Sequence, residues 1–254
     1  MRLIFSVFIF ICTSLISCSN SYQQSQNLEI PINTIERAEN IYYRLGYTVS
    51  FNPELNIPNW VAWELNSSKL IERESRAGHF YPDPDIPRGI AVETGDYSNS
   101  GYDRGHMCPA ADNKWDKQAM RESFYMTNIC PQHHNLNRGD WKELEDDCRR
   151  WVEESGTIYI ACGPILYKND ISYIGEERKI RVPNAFFKVI LAGLDEGKPR
   201  AIGFIYKNAS GNNPLDHYVN SVDQVERITG LDFFSQLPDD VENEIESNLS
   251  LIHI

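Results

Sequence analysis

Four consecutive residues, Asp103-Arg104-Gly105-His106, lie within Ser100-Gly101-Tyr102-Asp103-Arg104-Gly105-His106-Met107. Downstream come Asn128-Ile129-Cys130-Pro131-Gln132, then Leu136-Asn137-Arg138-Gly139-Asp140-Trp141, then Glu145 and Arg149. A neutral imidazole such as His106 titrates near neutrality and can take a proton from water. A carboxamide oxygen such as that of Asn137 suits a hard, partly hydrated cation. Arginine forks match phosphate oxygens in pairs. Together these types can hold one divalent ion, activate a water and grip a phosphate. Glu145 lies eight residues beyond Asn137, roughly 12 Å along the axis if both sit in one regular helix. The two are therefore not expected as paired inner-sphere ligands, and Glu145 suits a water held on the ion. The plainer alternatives are a helix N-cap for Asn137 and an exposed carboxylate paired with Arg149 at i+4 for Glu145. Asp103 is expected to anchor the motif by hydrogen bonds or an ion pair.

These motifs resemble the DNA/RNA non-specific endonucleases, the ββα-metal or His-metal finger nucleases. The resemblance covers roughly residues 57–238 and includes Ile228-Thr229-Gly230-Leu231-Asp232-Phe233-Phe234. It implies His106 as general base, Asn137 as metal ligand and Glu145 as a metal contact through water. It implies substrate contact by Arg104, a secondary active-site position for Asn128, and phosphate binding or support of Glu145 by Arg149. A further family arginine, ahead of an aromatic residue and an Asp-Pro pair, falls best on Arg76, with Arg73 and Arg88 as neighbouring competitors. The implied cofactor is Mg2+, with Mn2+ as a substitute. The implied substrates are DNA and RNA, cut with little sequence preference to leave 5′-phosphate and 3′-hydroxyl ends.

The elements that must position these residues are legible from periodicity. Residues 59–65 form an apolar, aromatic strand. Residues 113–128 suggest a short helix. Trp141, Leu144, Cys148, Trp151 and Val152 recur at helical spacing, which predicts a helix over 138–154 closed by Gly156. Strands follow at 157–166, 185–193 and 201–207, and Ser221 caps a short helix ending at Gly230. Strands and helices without regular βαβ alternation predict an α+β fold. The resemblance specifies the ββα-metal (His-Me finger) nuclease fold, a central antiparallel or mixed sheet flanked by helices.

The chain has 254 residues and a formal net charge of −12. That acidity argues against a protein that coats nucleic acid, yet leaves room for a local basic site. Residues 1–17 have the pattern of an export signal: Arg2, then an apolar run too short to span a bilayer stably. The end, Leu15-Ile16-Ser17-Cys18, resembles a bacterial lipobox and implies lipid attachment at Cys18. Residues 18–34 are expected to tether residues 35–254, the catalytic domain. The expected location is the cell envelope, anchored to the membrane, with free secretion as the alternative. Cys108, Cys130, Cys148 and Cys162 make disulfides plausible in an oxidising compartment, with three pairings open. None has the close spacing of a structural zinc site. Two other functions stay open: a metal-dependent phosphodiesterase acting on a non-nucleic-acid substrate, and a non-catalytic anchored binding protein.

Overall fold

The computed structural model describes residues 27–247. The expected signal and Cys18 lie outside them. In chain order the strands are β1 (Ile32–Asn33), β2 (Asn40–Tyr43), β3 (Thr48–Asn52), β4 (Ile57–Leu65), β5 (Asp103–His106) and β6 (Ile129–Gln132). They continue with β7 (Ile158–Ile165), β8 (Tyr173–Ile174), β9 (Ile180–Arg181), β10 (Ala185–Ala192), β11 (Arg200–Lys207), β12 (Val219–Asn220) and β13 (Leu231–Asp232). The helices are α1 (Lys117–Ser123), α2 (His134–Arg138), α3 (Asp140–Ser155), α4 (Val222–Thr229) and α5 (Asp239–Ser247).

Seven strands form one sheet in the order β12-β11-β10-β7-β4-β3-β2, and every neighbouring pair is antiparallel. Alternation of side chains sorts the apolar residues to two faces. Val61, Trp63, Ile160, Cys162, Phe186 and Ile190 join α3 residues Trp141, Leu144, Cys148 and Trp151 in one core. Trp60, Ala62, Phe187, Val189 and Leu191 join α4 and α5 through Val222, Val225 and Ile245 in the other. The fold is therefore α+β, a central antiparallel sheet flanked by helices, as the sequence implies.

Differences from the sequence reading have local causes. The helix expected over 113–128 is confined to α1. Asp116 starts it by accepting hydrogen bonds from the Gln118 and Ala119 amides at 2.7 and 3.1 Å. The Asn128 side chain closes the segment by donating to Ser123 O at 2.8 Å. The long helix is split from α2 at Gly139, whose backbone (φ −107°, ψ −114°) departs from helical geometry. Gly230 ends α4 in the left-handed region at φ 66°, where glycine avoids a Cβ clash.

The stretch expected to be tether joins the fold before residue 35. Leu28 is buried in the second core, and β1 pairs with β13. The four cysteines form no disulfide: Cys108, Cys130, Cys148 and Cys162 are free and buried. All four lie in the same apolar core on the α3 side of the sheet, where they serve as small packing groups. Alkylation of the native protein, read site by site by mass spectrometry, should leave these four thiols unmodified, and denaturation should expose all four. Modification in the native state, or a disulfide-linked peptide, would contradict that packing.

Candidate active site

His106 closes β5, which pairs antiparallel with β6 and sets His106 opposite Ile129 and Asp103 opposite Gln132. The glycine between Arg104 and His106 is sterically required, because a Cβ at Gly105 would run into the Gln132 side chain. After His106 the chain is fixed by Asn128. Its Oδ1 accepts from the Cys108 amide at 2.9 Å, and its Nδ2 donates to Cys108 O and Ser123 O at 2.8 Å. β6 then runs into α2 and α3, so a hairpin and a broken helix enclose one cleft of about 660 Å³.

The cleft gathers His106, Arg104, Arg76, Asn137, Glu145 and Arg149, with Asp103 beside Asn137. Of the three arginines that compete in sequence, Arg76 lines the cleft and Arg73 and Arg88 do not. Asn128 does not reach it: the side chain is fully buried and spent on backbone groups, so it holds the His106 loop in place. Arg149 does not pair with Glu145. It donates to Asp112 at 2.7 Å and also pairs with Asp146. Asp103 anchors the hairpin to the helix, accepting from Asn137 Nδ2 at 2.9 Å and Arg138 Nε at 3.4 Å, with His134 Nδ1 3.2 Å away.

The imidazole is 7 % exposed, and its Nε2 is buried without a hydrogen-bond partner among the described residues. Phe124 meets it edge-on at 4.8 Å and Phe80 lies at 5.2 Å. Arg76 stacks over Phe124 at 5.2 Å. Burial, and secondly the Arg76 charge, lower the His106 pKa to about 3, so the ring is neutral. Arg104 is held by a hydrogen bond to Thr94 O at 2.8 Å and by the faces of Phe80 and Tyr97.

The donor set suits a hard cation. Asn137 spends its amide nitrogen on Asp103, which leaves Oδ1 free of hydrogen bonds among the described residues. Glu145, in the same cleft, makes no ion pair among the described residues, and burial foremost pushes its carboxyl up to about 7. One neutral oxygen and one carboxylate flanked by open space match a cation that keeps several waters. Because Gly139 breaks the helix between them, the straight-helix separation expected from sequence does not apply. Both residues line the same cleft from successive helices.

The sequence reading missed several residues. Phe80 and Phe124 clamp the imidazole, yet their motif signal is a generic aromatic. Lys142 lines the cleft one turn before Glu145. Lys188 is fully buried in β10, with its ammonium 4.5 Å from the Trp141 ring centre and 5.5 Å from that of Trp63. Its charge counters the raised pKa of Glu145 from behind. A lysine inside an otherwise apolar strand was the available signal.

The sequence profile of DNA/RNA non-specific endonucleases matches residues 24–240. Similar proteins include "Nuclease 1, mitochondrial" of Schizosaccharomyces pombe, 37 % identical over 76 % of this chain and 65 % of that protein. "Nuclease EXOG, mitochondrial" of Danio rerio is 36 % identical over 79 % of this chain and 62 % of that protein. A "Nuclease" of Nostoc sp. is 36 % identical over 80 % of this chain and 76 % of that protein. The chain thus spans less than two thirds of the length of the first two. A solved EndoG/EndoGI complex, described as showing the mechanism of EndoG inhibition, superposes with a TM-score of 0.73 at 26 % identity, covering 80 % of this chain and 89 % of that one.

The depressed His106 pKa makes stability depend on pH. The folded ring stays neutral down to about 3, while the unfolded ring takes a proton near 6.5. Between those values the unfolded state binds more protons, so stability falls as pH drops from 6.5 towards 3. In urea unfolding, His106→Ala should lose less stability than the parent between pH 6.5 and pH 4. An identical slope in both would contradict a buried neutral imidazole.

Proposed function

The chain belongs to the DNA/RNA non-specific endonuclease family, and from that premise we propose that it is a Mg2+-dependent endonuclease hydrolysing phosphodiester bonds of DNA and RNA with little sequence preference. The observation that carries the reading is the convergence of a neutral His106 and the free Asn137 Oδ1 on one cleft ringed by Arg76, Arg104, Arg138 and Arg149. Guanidinium groups that grip phosphates read no base, which supports the low sequence preference.

His106 takes the proton of the attacking water. Phe80 and Phe124 keep bulk water off the ring and hold its plane. The ring is a weak base while Arg76 is unopposed. A bound phosphodiester sets negative charge against Arg76 and lifts the imidazole towards the range where it accepts a proton. Arg76 and Arg104 hold the phosphate, and Asn137 through its Oδ1, with Glu145 through a water, would hold the cation. When bound, a divalent cation neutralises charge developing on the phosphate and the departing oxygen. Asp112 and Asp146 aim Arg149 into the cleft. Mn2+ is proposed as a substitute ion.

We further propose export and lipid attachment at Cys18, supported by the sequence pattern of residues 1–18. Cys18→Ser should move the protein from the membrane fraction to the soluble fraction without loss of nuclease activity. Retention in the membrane fraction would overturn the anchor.

The function is tested on supercoiled plasmid and on RNA. The parent should cut both with Mg2+ and neither with EDTA. His106→Ala should lose about 10²–10⁴-fold while keeping its fold by circular dichroism. Asn137→Ala should need higher Mg2+ for half-maximal rate. Activity confined to a small diester, or undiminished nicking by His106→Ala, would overturn the proposal.

A further inference from the structure

On the sheet face away from the cleft, α4 and α5 bring together acidic side chains that the proposed reaction does not use. Asp223 and Glu226 are three residues apart on α4 and so share one face. Glu246 approaches from α5. One carboxylate oxygen from each lies within 4.8 Å of those of the other two. That is the span two oxygens reach across a calcium ion at about 2.4 Å.

A second observation concerns Glu246 alone. The residue is 5 % exposed, and its Oε1 is buried with no hydrogen-bond partner among the described residues. Glu242 and Asp232 add further negative charge close by, and no cation is among the main influences on Glu246. Burial, together with repulsion from Glu226 and these neighbours, pushes the Glu246 carboxyl up to about 9. An unpaired buried carboxylate is costly, and proteins meet that cost by pairing it, protonating it or binding a metal through it. Glu226 is already aimed: its Oε1 accepts from the Phe233 amide at 2.8 Å, which fixes the carboxylate and leaves its second oxygen available.

We propose that Asp223, Glu226 and Glu246 form a calcium site that pins the C-terminal helix α5 to α4. Calcium suits it better than magnesium. Calcium accepts six to eight oxygens in flexible geometry, whereas magnesium dehydrates reluctantly and is seldom caged by protein groups alone. The role is structural. The ion would hold α5 over β11 and the second core, and the cleft on the opposite face keeps its own ion.

Thermal unfolding with and without CaCl2 tests the site, using the parent, Glu246→Gln, Asp223→Asn and Asn137→Ala. With calcium at one hundred times its Kd, the parent Tm should rise by roughly 5–10 °C. The rise should persist in Asn137→Ala, which alters only the cleft, and vanish in Glu246→Gln. In EDTA near pH 7, Glu246→Gln should melt above the parent, because folding then no longer has to protonate a carboxylate that is ionised in the unfolded chain. Should Glu246→Gln fail to fold, Asp223→Asn, on the half-buried side of the cluster, carries the comparison. Plasmid cutting with Mg2+ should be unchanged in both acidic-cluster variants. An equal calcium shift in the parent and these variants, no shift in the parent, or a shift lost in Asn137→Ala would overturn the proposal. None of those results bears on nuclease activity, which is read separately.

Discussion

A single hydrogen bond, Asn137 Nδ2 to Asp103 Oδ2 at 2.9 Å, ties the strand that ends in His106 to the helix that carries the amide oxygen. Of the contacts that Asp103 makes to α2, it is the one that engages the Asn137 side chain itself, giving the His106 strand and the carboxamide a common reference. The bond also decides which end of the carboxamide faces the cleft. Because the nitrogen is spent on Asp103, the oxygen is left for a cation. Arg138 and His134 share the same carboxylate, so Asp103 is over-determined and its pKa is held below the usual range although burial works against it. The motif aspartate thus sets geometry and leaves the chemistry to its neighbours.

Beneath the cleft the protein accepts an arrangement that packing alone would avoid. Lys188, Asp112, Glu145 and Arg149 gather between α3 and the sheet. Burial raises the Asp112 pKa, and Arg149 and the Trp63 indole oppose it with hydrogen bonds at 2.7 and 3.1 Å. Lys188 has no hydrogen-bond partner for its ammonium among the described residues and rests on two indole faces. An apolar residue at 188 would pack readily, yet it would remove the positive charge that opposes protonation of Glu145. The cost of a buried cation is set against a carboxylate that the proposed metal role requires to be ionised.

The sheet and its helices were legible because their signals are local and periodic. Trp141, Leu144, Cys148 and Trp151 mark α3, and β4, β7, β10 and β11 fall within a residue or two of the apolar runs. The chemistry was legible because Asp103-Arg104-Gly105-His106 and the Asn137 segment are compact motifs. What stayed hidden depends on contacts distant in sequence. Asn128 carries a motif position but turns inward, because the backbone around Cys108 and Ser123 needs its amide. The Arg149 side chain turns to Asp112, 37 residues away, and to Asp146, and passes over Glu145. The break at Gly139, which lets Asn137 and Glu145 face one cleft, is a backbone event that a continuous periodicity masks. The cysteines suggested bridges by composition, but their burial in one core as separate packing groups is a tertiary fact.

The central claim is that His106 and a cation on Asn137 face the same phosphate from opposite sides. Crystals of His106→Ala with Mn2+ and a short DNA duplex test it through anomalous scattering. The account predicts a peak at first-sphere distance, about 2.1 Å, from Asn137 Oδ1, with the scissile phosphate between that ion and the truncated side chain. An ion bound elsewhere, or a phosphate outside the space between residues 106 and 137, would contradict it.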